Sequence, residues 1–207
     1  MNIKVENISK RYRLEWIFKD FSYEFKQGKG YAILGRNGSG KSTLMQILSG
    51  YLSPSKGKVY FLDKQKSIDK ELVYKNVSYA GPYIDLIEEF TFPELLKFHS
   101  QFKQMLISPK EIKDLLAFPK MAYKKPIKFF SSGMLQRVKL ILSICSTTPI
   151  LLLDEPTITL DQEGIEWYQH LVDTYGKTAD RLLIVASNAE QDYRSCEEHV
   201  LITDYKK

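Results

Sequence analysis

Cysteine is scarce in this chain: Cys145 and Cys196 stand far apart in 207 residues and outside any CxxC spacing. That argues against a disulfide framework or a cysteine zinc site and fits a reducing compartment. Long hydrophobic runs are missing too. The opening MNIKVENISKRY has no apolar signal core. The longest apolar stretches, such as Ile150 to Leu153, fall far short of the ~20 residues that span a bilayer. The expected location is therefore cytoplasmic, with any membrane role supplied by a partner. Blocks of one charge are absent as well. The net charge is +5, yet the densest basic groups are only Lys124, Lys125 and Lys128, and Lys206 with Lys207. A mixed surface explains this better than a polyanion-binding face.

What the chain does have is ordinary globular material: 43% hydrophobic and 27% charged residues, enough to bury a sizeable core in a single domain. IKVENI (3–8), DFSYEF (20–25) and GKVYFL (57–62) read as strands. YAILG (31–35) is instead an unbroken apolar run entering a glycine loop, the pattern of a strand buried on both faces. KSTLMQILS then has apolar residues at helical spacing and stops at Gly50. Thr91-Phe92-Pro93-Glu94 and Ser108-Pro109-Lys110-Glu111 are capping boxes with proline in the first turn, so roughly 86–147 reads as helical. ILLLD (150–154) and RLLIVAS (181–187) resume the buried-strand pattern around a helix EGIEWYQHLVDTY, and the HVLIT run (199–203) follows. Strand, crossover helix and strand imply a parallel sheet.

Two segments bear chemistry. Gly35, Gly40, Lys41 and Ser42 satisfy G-x-x-x-x-G-K-[ST] between the buried strand and the capped helix. In such a loop backbone N–H groups turn inward around phosphates and the helix presents its positive end. Lys41 is placed to reach the β and γ phosphates and Ser42 to ligate Mg²⁺. PILLLDEPT (149–157) puts Asp154 and Glu155 at the C-terminal end of a buried strand, the edge where open α/β sheets bind ligands. Asp154 can hold the metal, and Glu155 can act as general base on an attacking water.

A third segment, FFSSGMLQRVKLILSI (129–144), sets Ser131-Ser132-Gly133 at a helix N-terminus upstream of LLLDEPT. With the other two segments it resembles the ATP-binding subunits of ABC transporters, through essentially the whole chain. FSSGMLQR is similar to the YSLGMKQR form of that family's signature peptide, with Ser131, Gly133, Gln136 and Arg137 retained. The family's phosphate loop matches from Gly35 through Asn37, Gly38, Ser39, Gly40, Lys41, Ser42 and Thr43. The resemblance assigns adenine stacking to Tyr12 and places Asp161 at the aspartate that closes the loop after the acidic strand. It implies a P-loop NTPase fold: α/β, a RecA-like parallel-sheet core (about 1–84 and 148–207), an N-terminal antiparallel β subdomain and an inserted α-helical subdomain (about 85–147). It further implies ATP and Mg²⁺ as ligands, and a second ATP-binding subunit, homo- or heterodimeric, whose signature peptide closes over the nucleotide. An integral membrane permease would hold the pair at the inner face of the cell membrane. No nucleic acid is expected, because the relatives that act on it have tandem cassettes, long insertions or zinc cysteines.

Two positions depart from the family pattern. Pro82 fills the slot of a glutamine between core and helical region, and Asn188 that of a histidine after the last core strand. Proline offers no side-chain donor, and asparagine can donate a bond but cannot take up a proton. Slow ATP hydrolysis is the expectation; the alternative is an ATP-dependent switch with little turnover. The apolar run Tyr83, Ile84, Leu86, Ile87, Phe90 and Phe92 is expected in part to pack the helical region and in part to receive a permease helix.

Overall fold

The computed structural model describes residues 1–64 and 66–206; Gln65 and Lys207, the latter in one of the basic groups, lie outside the described residues. An antiparallel hairpin pairs β1 (Asn2–Tyr12) with β2 (Glu15–Phe25). Its inward residues Ile3, Val5, Ile8, Phe18, Phe21 and Phe25 are buried, as alternation requires. β3 (Gly30–Leu34) leads through the glycine loop into α1 (Lys41–Leu48), whose C-terminal carbonyls are met as the chain turns at Gly50, φ +79°. β4 (Lys56–Asp63) and the two-residue β5 (Lys66–Ser67) complete the first sheet, in the order β2-β1-β4-β5.

A single turn α2 (Val73–Asn76) precedes β6 (Val77–Ala80). Then come α3 (Phe92–His99), α4 (Pro109–Leu116) and α5 (Ser132–Ile144). Both capping boxes form: the backbone N–H groups of Thr91 and Ser108 each donate to the Glu94 and Glu111 carboxylates at 2.8 Å. β7 (Ile150–Asp154), α6 (Gln162–Leu171), β8 (Leu182–Ala186), the one-turn α7 (Glu190–Tyr193) and β9 (Glu198–Leu201) follow. The second sheet runs β6-β7-β8-β3-β9 and every neighbouring pair is parallel.

This sheet divides two cores. Ile33, Ile150, Leu152 and Ile184 face α1 and the antiparallel sheet, while Ala32, Leu151, Leu153 and Val185 face α3 to α6. Period-two alternation within continuously apolar strands lets each strand serve both sides.

Two features differ from the sequence expectation. No element is read from the sequence at 77–80; β6 forms there by pairing with β7, Val77 opposite Ile150. The helix expected over 163–175 also changes form. Beyond Leu171 it widens to a π turn, Val172–Gly176, and the Tyr175 carbonyl accepts from the buried Arg181 guanidinium at 3.0 Å. That guanidinium also binds the carbonyls of Ser143, Ile144 and Ser146, joining the end of α5 to the start of β8.

His99, near the end of α3, lies 2.9 Å from the Ser146 hydroxyl. Burial, then the neighbouring Lys103 charge, lowers its pKa to about 4. Below the ordinary histidine value of about 6.5 the unfolded chain takes up a proton that the folded chain refuses until pH 4, so acid removes stability across that window, by about 3 kcal/mol at most. In His99→Gln this part of the acid slope disappears. Urea unfolding of both proteins at several pH values across the window measures it.

Candidate active site

Four of the five parallel strands point their C-terminal ends at one place. β3 delivers the glycine loop, β7 the Asp154–Glu155 pair, β8 Ser187 and Asn188, and β6 Gly81 and Pro82. Around them is a cavity of about 710 Å³, lined by residues 37 to 43 with Pro82, Tyr83, Glu155 and Asn188. Gly40 caps α1 with φ +106°, and a Cβ there would stand 2.6 Å from Cγ2 of Ile17. Ile17 lies at a register shift of the β1–β2 hairpin, between the pairs Lys10–Phe18 and Arg11–Trp16, where a bulge re-aims a side chain. Gly38, φ +74°, leaves open space where a Cβ would be. A loop of this shape can face a chain of phosphate oxygens with its N–H groups.

The Lys41 side chain is 6% exposed, donates to the Gly35 carbonyl at 2.7 Å and lies 3.2 Å from a Glu155 oxygen. Glu155 is in the left-handed region at φ +48°, an unfavourable conformation for a residue with a Cβ. Its N–H donates to Ala186 at 2.8 Å, so the strain is held by the β8 edge. Ser187 Oγ is 3.1 Å from the other Glu155 oxygen and 2.6 Å from the buried Asp192 carboxylate. Its one proton serves a single acceptor at a time.

Asp154 is fully buried. One carboxylate oxygen accepts from the Tyr79 hydroxyl at 3.2 Å; the other has no partner among the described residues. Burial pushes the Asp154 carboxyl above the usual range, and the nearby Ser42 and Tyr79 hydroxyls pull the other way. A buried, partnerless carboxylate oxygen beside a serine hydroxyl is a donor set that suits a hard divalent cation.

The two departures occupy the same cavity. Pro82 lines it without offering a donor, and the phenol of Tyr83 stands beside it. Asn188 donates to Asn37 in the glycine loop at 3.0 Å. Ser131, Gly133 and Asp161 are brought together elsewhere, around a separate hollow of about 370 Å³ that shares no lining residue with the first. Ser131 caps α5 by accepting from Met134, and Gln136 fixes that helix to the Pro156 carbonyl at 2.7 Å. Asp161 caps α6 by accepting from Gly164 at 2.8 Å and lies 3.9 Å from Arg137, which stacks on Trp167. Tyr12 is half-exposed at the end of the hairpin and is not among the residues that line the phosphate-loop cavity; Ile17 is.

Comparison with known proteins agrees with this geometry. The family model described as ABC transporter matches residues 18–158. The chain belongs to the ABC transporter family. A lantibiotic transport ATP-binding protein, SrtF of Streptococcus pyogenes, is 30% identical over 195 residues, covering 90% of this chain and 80% of that one. An ABC transporter ATP-binding protein of Bacillus subtilis, YybJ, is 28% identical over 198 residues, covering 94% and 89%. Among solved structures, a putative ABC transporter ATP-binding protein from Pyrococcus furiosus superposes with a TM-score of 0.81 over the full length of both chains at 20% identity. The ATP-binding cassette MJ0796, in a dimeric post-hydrolysis state bound to ADP and phosphate, has a TM-score of 0.81 at 22% identity, covering 96% of this chain and 93% of that one. These structures share the cassette fold.

Several residues of this ABC cassette's cavity are not evident from motif spacing. Ile17 and Tyr83 line it, the Tyr79 and Ser187 hydroxyls bond Asp154 and Glu155, and Asp192 accepts from Ser187, all through strand pairing and turns. The apolar run divides. Ile84, Leu86 and Ile87 line a groove of about 350 Å³ beside α3, whereas Phe92 is buried and Tyr83 faces the phosphate-loop cavity.

Gly40→Ala is expected to lose about 1–3 kcal/mol of stability through its left-handed backbone and the Ile17 contact. Nucleotide-dependent thermal protection, read by differential scanning fluorimetry, should disappear with it.

Proposed function

We propose that this chain is the ATP-hydrolysing subunit of an ABC transporter, working as one of a pair of ATP-binding chains beneath a membrane permease. The observation that carries the reading is the joining of Lys41, Ser42 and Glu155 in one cavity, with the buried Asp154 carboxyl behind it beside Ser42, while Ser131 and Gly133 line a separate hollow of the same chain. A site built from both halves then needs a second chain.

With ATP in the cavity, Lys41 exchanges its Gly35 and Glu155 contacts for β- and γ-phosphate oxygens, because a buried ammonium follows the stronger anion. Glu155 is thereby released to accept a proton from a water that attacks the γ-phosphorus, and ADP leaves on the opposite side. Ser42 and Asp154 would hold Mg²⁺, which neutralises charge building on the transferred phosphoryl group. Asn188 donates a neutral bond towards the γ-phosphate, and Tyr12 is the proposed stacking surface for adenine. Ser131 and Gly133 of the second chain would close over the same phosphate, with Asp161 in the adjoining loop. The groove lined by Ile84, Leu86, Ile87, Phe98 and Phe102 is the seat for a permease helix.

No helix among the described residues is long and apolar enough to cross a membrane. In this reading the chain is held at the inner face of the cell membrane by its permease, with the core at about 1–84 and 148–207 and the helical subdomain at about 85–147.

Pro82 favours one second reading, an ATP-dependent switch with little turnover. Phosphate release by the purified chain separates the two. Loss of a general base typically costs a factor of about 10²–10⁴, so Glu155→Gln should fall to background while still binding ATP. Equal rates for parent and variant would remove Glu155 from the chemistry. Asn188→His should raise turnover if the neutral donor limits it, and an unchanged rate would show that it does not.

A further inference from the structure

We infer that Tyr79 is a positioning residue for the metal-binding carboxylate of Asp154. The inference rests on the reading of Asp154 as a metal ligand and names the group that aims it.

The placement follows from sheet register. β6 and β7 are parallel, with Tyr79 opposite Leu152 and Ala80 opposite Leu153. Asp154 is therefore two residues beyond Tyr79's partner, on the same face, a diagonal separation that a tyrosine can bridge. The bridge is made: the phenol donates to one Asp154 oxygen at 3.2 Å and leaves the other without a partner. Gly81, two residues on from Tyr79, keeps the path open, since a Cβ there would meet the Tyr79 hydroxyl at 3.0 Å and Asp154 Cβ at 3.1 Å.

A buried carboxylate with no fixed neighbour turns about its terminal bond in a broad, roughly two-fold well. A donor on one oxygen narrows that rotation and keeps the second oxygen available. The phenol is itself held, with its ring packed at the edge of the main apolar cluster and its body forming part of the wall of the apolar groove. Pro82, the nearby loop residue lining the cavity, has no donor with which to do this. Tyr79 thus touches both compartments: its ring meets the groove and its hydroxyl meets the carboxylate. Removing an outer partner of a metal ligand typically weakens metal binding about 10–100-fold.

The test uses the full chain saturated with a non-hydrolysable ATP analogue and titrated with Mn²⁺, bound metal being read by electron paramagnetic resonance. In Tyr79→Phe the half-saturating Mn²⁺ concentration should rise about ten-fold or more, while analogue binding in EDTA stays within about two-fold of the parent. A half-saturation point unchanged from the parent overturns the inference. Gly81→Ala keeps the phenol but crowds it, and the same rise is expected; if Tyr79→Phe does not fold, an unchanged titration in Gly81→Ala overturns the inference instead. If the parent complex binds Mn²⁺ no better than the free analogue, the assignment of Asp154 falls and this inference with it, a result distinct from a parent that binds and a variant that matches it.

Discussion

The Lys41 ammonium sits almost out of water, held by the Gly35 carbonyl and the Glu155 carboxylate, and much of the surrounding structure exists to maintain that contact. A buried cation with a missing partner is expensive, while one with a well-placed anion is tolerated. The glycine loop curls so that its first carbonyl faces the ammonium. Glu155 adopts a left-handed backbone that leaves the sheet at the position where its carboxylate meets Lys41. The same pairing occupies both groups, so in the proposed function ATP phosphates would compete with Glu155 for Lys41, and their arrival would free the carboxylate. Binding and readiness for chemistry would then be linked through one ion pair.

The parallel sheet provides the frame for this exchange. Its strands are buried on both faces, with the antiparallel sheet and α1 on one side and α3 to α6 on the other. Displacement of either layer is felt at the same strand ends. The loop after β6 carries Pro82 and Tyr83 into the cavity, and the segment just beyond it lines the apolar groove. A partner seated in that groove would act on the cavity through a few residues of chain. On the far side, Asn188 bonds to Asn37, so the end of β8 and the glycine loop are joined directly. A neutral pair of amides does this without the charge that a histidine would bring.

In the proposed function the ABC family pattern is kept where phosphates and metal would be handled and altered where water and γ-phosphate would be positioned. Binding would depend on Lys41, Ser42 and a set of backbone N–H groups, and these require only the loop and its helix. Positioning a water needs side chains from several strands, and substitutions there leave the fold intact. In the proposed function Pro82 and Asn188 would therefore bear on rate and coupling more than on affinity.

The phosphate loop, the buried strands, the two capping boxes and the acidic pair were legible in the sequence because each is determined locally: by glycine spacing, by an apolar run, by a side chain bonding its own backbone three residues on. The approach of Ile17 to Gly40 was not. β6 and the Tyr79 hydroxyl on Asp154 likewise depend on which strands become neighbours and in what register. Such contacts join residues up to 75 positions apart in the chain. No periodicity within one segment encodes a contact that only the pairing of two segments creates.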